Sequence, residues 1–201
     1  MTDSTHADPA TPPVKWSSII VSAYLPTLMS SLGYGAVIPL IPLTAVHIGA
    51  SAALAAAIAA LVGIGQIIGD VPAGWLVTKI GEKWSLVIAM LIDAVALVSM
   101  GLVHHLGLLA VAVFVNGMAG AVYGIARQNY LTVAIPYRYR ARALSTLGGV
   151  FRVGWFVGPM AGSWILREAS MSWAYGFASV ASVLAAAVTL SLIHISEPTR
   201  L

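Results

Sequence analysis

The chain has 201 residues and a formal charge of +3, yet only 8% of its residues are charged and 59% are hydrophobic. A water-soluble domain carries about 25% charged residues, so a surface that faces water on every side is excluded. A mean hydropathy of +0.91, with apolar stretches that repeatedly exceed the ~20 residues needed to cross a bilayer, predicts an all-α polytopic membrane protein. The basic residues fall between apolar spans, so they point to membrane orientation and not to a nucleic-acid partner. With no cysteine, disulfides, thiolate metal sites and cysteine nucleophiles are excluded, and nothing in the composition calls for a cofactor.

In chain order, residues 1–15 are polar and Pro-rich and read as a disordered cytoplasmic tail. They lack the basic start and small-residue cleavage site of a signal peptide, so the first span is expected to be an uncleaved anchor. A bundle of six transmembrane helices is then predicted within residues 16–190. The spans run from Trp16 to Val46, Ala50 to Thr78, Trp84 to Val103, Leu108 to Tyr130, Ala143 to Leu166 and Trp173 to Leu190. Gly33, Gly35, Pro39 and Pro42 are expected to kink the first, because proline removes a backbone donor and crowds the preceding turn. The link Lys79 to Lys83 is short enough to force antiparallel neighbours, and a longer basic link is expected from Ile135 to Arg142.

Charge counting sets the expected topology. With the N-terminus inside, Lys15, Lys79, Lys83, Arg127, Arg138, Arg140 and Arg142 all lie on the cytoplasmic side, and Arg167, beside Glu168, lies outside. Trp16, Trp84, Trp164 and Trp173 sit near span ends, where amphipathic rings favour the interface. The expected location is the inner membrane of a cell, with lipid as the first partner.

Two motifs go beyond hydropathy. Between the second and third spans stand Gly74, Lys79, Gly81 and Lys83: the first glycine allows close helix approach, the second a tight turn, and the lysines anchor one membrane face. In the fifth span Gly154, Gly158 and Gly162 recur every four residues on one helix face, with Pro159 among them. The loop resembles the signature of the major facilitator superfamily, and the glycine stripe resembles that family's antiporter motif. Thr78 stands where the family has an acid and Glu82 where it has a basic residue, and Val113 replaces the fourth-span arginine linked in the family to proton coupling. Ala126 to Leu131, Arg140 to Gly149 and Gly33 to Pro42 are also similar to bacterial drug-efflux members.

The resemblance implies the N-terminal half of a secondary transporter, with proton-coupled efflux of a small molecule. It also implies that the glycine stripe packs against the other half, a C-terminal six-helix partner, and that the third span is peripheral. Tyr34, Asn116 and Tyr123 are cavity candidates because their spans line the path in the family. Arg152, near mid-membrane, joins them as a contact for an anionic substrate, a carboxylate or the inter-half interface.

Ionisable groups inside a bilayer cost about 2.5–3.5 kcal/mol each on insertion scales, so each needs a partner or a task. Asp70, with Gln66 one turn away, and Arg127 are placed at similar depth, and an Asp70–Arg127 pair bridging the second and fourth spans is expected. Asp93, in the third span, reads as a structural group or a proton carrier. His104 and His105 read as an exposed outer turn, and no metal site is expected. An intramembrane aspartyl enzyme built on Asp70 and Asp93 lacks the glycine and tyrosine such enzymes place beside their aspartates, and a six-span channel or structural protein would leave both motifs unused. Residues 191–201 resemble the translated read-through of a sequencing adapter, which would make them non-native and the chain a fragment.

Overall fold

The computed structural model describes residues 23–196. The expected tail over residues 1–15 and the start of the first span therefore lie outside the described residues. So does the end of the adapter-like segment from residue 197 on; the backbone before it is helical to Ser196. Among the described residues seven helices follow one another: α1 (Leu25–Val37), α2 (Leu40–His47), α3 (Ala52–Ile80), α4 (Glu82–Leu102), α5 (Leu106–Ala134), α6 (Tyr137–Glu168) and α7 (Met171–Ser196).

The first span is α1 and α2 together. The chain breaks at Ile38–Pro39, where proline offers no N–H, yet both residues keep right-handed helical angles and Ile38 N–H still reaches Tyr34 O at 3.1 Å. The result is a bend within one crossing. Gly49, at φ 106°, then reverses the chain, and Ser51 caps α3 by accepting from Leu54 N–H. Between α3 and α4 a single residue, Gly81, makes the turn at φ 82°, a conformation that disfavours any side chain. Glu82 begins α4, where a negative charge suits the helix N-terminus; the departure from a basic residue at this position has a local physical reason.

The link expected from Ile135 to Arg142 is largely helix. Only Ile135 and Pro136 separate α5 from α6, and Pro136 opens α6 two turns earlier than hydropathy suggests. The charged first turn is held by its own contacts: Arg140 Nε donates to Ile135 O at 3.1 Å, and the Arg138 and Arg140 guanidiniums lie over the Tyr139 and Tyr137 rings. Among the described residues five spans meet the length and apolarity needed to cross a membrane. The remaining helix, α6, carries Arg138, Arg140, Arg142 and Arg152.

Packing pairs α3 with α5, α1 with α6 and α4 with α7, while α4–α5 and α1–α7 contacts close the bundle. Glycines set the closest approaches. Gly65 and Gly69 of α3 lie against α5, where a β-carbon would run into Phe114 O and Met118 Cα respectively. The exterior is apolar: Val71, Val95 and Phe156 stand 82%, 67% and 76% exposed. Such a surface fits lipid and not water.

Candidate functional site

A cavity of about 200 Å³ opens between α1, α3, α4, α5 and α6. Its polar wall comes from Ser30 and Tyr34 of α1, Gln66 of α3, Asp93 of α4, and Tyr123 and Arg127 of α5. Met90, Ala119 and Phe151 supply apolar surface.

Gln66 Nε2 donates to Tyr34 Oη at 3.0 Å, linking α3 to α1 across the cavity. Tyr123 Oη reaches Thr27 Oγ1 at 3.5 Å. Asp93 is engaged on both oxygens: Asn116 Nδ2 donates to Oδ1 at 2.5 Å and Ser182 Oγ donates to Oδ2 at 2.6 Å. One carboxylate thus ties α4, α5 and α7 together. Arg127 is held differently. Its guanidinium carbon lies 5.3 Å from the Tyr123 ring centre and 5.0 Å from that of Phe151, within cation–π range. Its Nε and Nη1 are buried without a hydrogen-bond partner among the described residues.

Of the cavity candidates, Tyr34 and Tyr123 line the wall. Asn116 stands behind Asp93, 3% exposed, as its donor. Arg152 does not line this cavity. It follows Phe151 by one residue, which turns it about 100° round the helix, and it stands exposed halfway along α6.

The expected Asp70–Arg127 pair does not form. The side of α3 that meets α5 runs through Gly65, Gly69 and Ala73, all buried; Asp70 is one residue past Gly69 and is turned out to an exposed position. Arg127 lies instead over the two rings. The third span is also less peripheral than expected, since Met90 and Asp93 bring it to the cavity wall. Asp93, Gln66, Ser30 and Arg127 are the polar wall groups outside the cavity candidates expected from sequence, Arg127 having been expected as a gate residue. A mid-span carboxylate and a mid-span amide were the signals available for the first two.

The glycine motifs are also placed. Gly154, Gly158 and Gly162 pack on α1, where added β-carbons would meet Ser31 Oγ, Leu32 O and Ala36 O. The partner of that stripe is therefore the first span of the same bundle, and the expectation of a helix from another half is corrected for this face. Pro159 sits inside α6 and touches the same contact, its Cδ 3.2 Å from where a β-carbon on Gly35 would lie. In the loop motif Gly81 makes the turn, but a β-carbon on Gly74 would meet nothing within 4 Å. Close approach belongs to Gly65 and Gly69, nearer the middle of α3; Gly74 is one residue past the buried Ala73 and so is turned away from the contact face that runs on through Ala73 and Val77. Lys79 Nζ lies 4.4 Å from the Trp75 ring centre, an arrangement that suits a membrane interface, and Lys83 is partly buried at the start of α4. His104 and His105 are exposed in the turn before α5.

Membrane-length helices, an apolar exterior and a cavity with polar and charged side chains in its wall among five of the helices define a polytopic α-helical membrane protein. The chain belongs to the Major Facilitator Superfamily, whose profile it matches over residues 23–201. It is 28% identical over 192 residues to the class H tetracycline resistance protein of Pasteurella multocida, covering 90% of this chain and 45% of that protein. It is 22% identical over 171 residues to the quinolone resistance protein NorA of Staphylococcus aureus, covering 85% and 44%. An uncharacterised MFS-type transporter of Mycobacterium tuberculosis is 25% identical over 167 residues, covering 83% and 24%. The chain thus spans less than half the length of these relatives.

Proposed function

We propose that this bundle is one half of an efflux transporter that exports a small amphiphilic compound in exchange for protons, with the N-terminal end of α1 at the cytoplasmic face of the inner membrane. The observation that carries this reading is the cavity walled by Tyr34, Gln66, Asp93, Tyr123 and Arg127 inside a membrane bundle. Two relatives named for drug resistance support the efflux direction. Alternating access in such folds rocks one bundle against another around a site at mid-membrane, so six spans supply one wall and its gate residues.

The exposed charges support a second bundle. Asp70 and Arg152 interrupt apolar outer faces of α3 and α6 that include Ile67, Val71, Val153 and Phe156. Facing lipid, each charge would cost about 2.5–3.5 kcal/mol; facing a water-filled path or a partner bundle, it would not. The loop motif at Gly74, Lys79, Gly81 and Lys83 then stands at the cytoplasmic gate, with Asp70 and Arg127 as separate gate groups. The enzyme alternative needs two aspartates sharing one site, whereas Asp93 lies in the cavity wall and Asp70 is turned to an exposed position outside it.

The test is dye accumulation in efflux-deficient bacteria expressing the genomic reading frame that carries this chain. Reduced accumulation that a protonophore reverses is expected, and no transport is expected from the 201-residue chain alone in proteoliposomes. Efflux that survives collapse of the proton gradient removes proton coupling, and transport by the chain alone removes the half-transporter reading.

A further inference from the structure

The buried polar atoms that lack a hydrogen-bond partner among the described residues are Ser30 Oγ, Arg127 Nε and Arg127 Nη1. All three belong to residues that line the same cavity. Two are donors that can never accept, and the third is a hydroxyl that can donate. The acceptors of this wall each already have a partner: Asn116 and Ser182 donate to Asp93, and Gln66 donates to Tyr34 Oη. Asp93 is the other charged residue in the wall, on a different helix from Arg127. The wall groups left without any partner among the described residues are therefore donors, two of them on the cation.

The surroundings of Arg127 narrow the chemistry. The Tyr123 and Phe151 rings lie within cation–π range of the guanidinium, while its Nε and Nη1 donors have no partner among the described residues. Charged N–H donors pair best with an anionic oxygen such as that of a carboxylate. Around it, Met90, Ala119 and Phe151 make an apolar wall that suits a flat ring. The cavity volume within this bundle, about 200 Å³, is below the 300–1,000 Å³ of drug-sized sites and suits a one- or two-ring body.

We infer that the cavity selects an aryl carboxylate, its anionic group bound by Arg127 and Ser30 and its ring held against Met90, Ala119 and Phe151. The inference rests on reading this cavity as the transport site, and it gives that site a substrate class: organic anions over cations of the same shape.

The experiment uses the full chain in nanodiscs of zwitterionic lipid, with radiolabelled 2-naphthoate and, as a matched cation, 2-naphthylmethylammonium. Saturable naphthoate binding is expected, at least about tenfold tighter than the cation. Arg127→Gln weakens naphthoate binding by about tenfold or more, Arg127→Lys by less, and Ser30→Ala by a few-fold, as loss of charged and neutral hydrogen bonds predicts. Size-exclusion profile and helical content report whether each variant is folded, and Ser30→Ala carries the test if Arg127→Gln does not fold. No naphthoate binding by the folded wild type, equal or tighter binding of the cation, or binding indifferent to both Ser30→Ala and every folded Arg127 variant overturns the inference. Displacement of naphthoate by added anionic phospholipid also overturns it, because the site would then belong to a lipid headgroup. Anion-selective binding in a protein whose reading frame exports nothing sinks the transport reading and leaves the inference standing.

Discussion

Replacing Gly158 by alanine adds one methyl group to α6 where α1 leaves no room for it. The new carbon would lie 2.6 Å from Leu32 O and 2.8 Å from both Ala36 N and the Gly35 carbonyl carbon. These are backbone atoms, so no side-chain rotation relieves the contact. Ordinary van der Waals separation is about 3.5 Å, so the two helices must part by roughly 0.7–0.9 Å at this level. A gap of that size forfeits a quarter to a half of each dispersion contact nearby, and overpacking of this kind costs about 1–3 kcal/mol. For a domain of this size each kcal/mol moves the melting temperature by about 2–4 °C, so a loss of roughly 2–12 °C is expected in detergent. The control lies on the same helix. A β-carbon on Gly149 meets nothing within 4 Å, and alanine favours a helix over glycine by up to about 1 kcal/mol. Gly149→Ala is therefore expected to be neutral or stabilising. Melting curves of the two purified variants decide the matter: a Gly158→Ala protein as stable as wild type would refute the α1–α6 contact.

Asp93→Val leaves the Asn116 amide and the Ser182 hydroxyl facing an apolar group, and a loss of about 1–3 kcal/mol is expected in chemical denaturation. Asp93→Asn is expected to stay near wild-type stability, because the Ser182 hydroxyl can turn to accept from the new amide; if proton exchange passes through Asp93, this stable variant loses coupled efflux. Tyr175 is 1% exposed with its hydroxyl 2.8 Å from Thr44 Oγ1, so a cycle of Tyr175→Phe and Thr44→Val is expected to show coupling of about 0.6–1.7 kcal/mol; additive losses would remove that bond from the account. Because the chain has no cysteine, single cysteines report topology cleanly. A membrane-impermeant maleimide is expected to label His104→Cys in intact cells and Thr78→Cys only after lysis, and the reverse pattern would invert the proposed orientation.

The spans were legible because a bilayer demands what hydropathy measures: long apolar helices that satisfy their own backbone. Turn chemistry was legible at Gly81, where one residue must reverse the chain, and at Pro39, where a donor is missing. The first turns of α6 were not, because Arg138, Arg140 and Arg142 lower hydropathy without lowering helix propensity. The site was legible one helix at a time. Depth along a helix follows from counting residues, so Asp70 and Arg127 looked like partners. The rotation of each helix about its axis depends on which face its neighbours' small residues accept. Gly65 and Gly69 set that rotation for α3 and turn Asp70 outward. The same consideration explains the glycine stripe of α6, whose partner is chosen by Gly35 and Ala36 on the opposing helix and not by the stripe itself.

The two charged groups of the cavity wall show how a membrane bundle separates scaffold from site. A charge buried in the bilayer is tolerated when it has partners, and Asp93 has a donor on each oxygen from within the protein, on two other helices. Removing those donors would loosen α4, α5 and α7 together, so Asp93 contributes to the shape of the cavity whether or not it carries a proton. Arg127 is fixed by ring faces, which position a guanidinium without consuming its N–H groups. An aromatic cradle is thus the arrangement that holds a cation in place and leaves its donors for something else. The Asp70 pair expected from depth alone would have had the opposite effect, closing the Arg127 fork with a carboxylate of the chain itself. Its absence is what leaves this cavity with donors to offer an incoming acceptor.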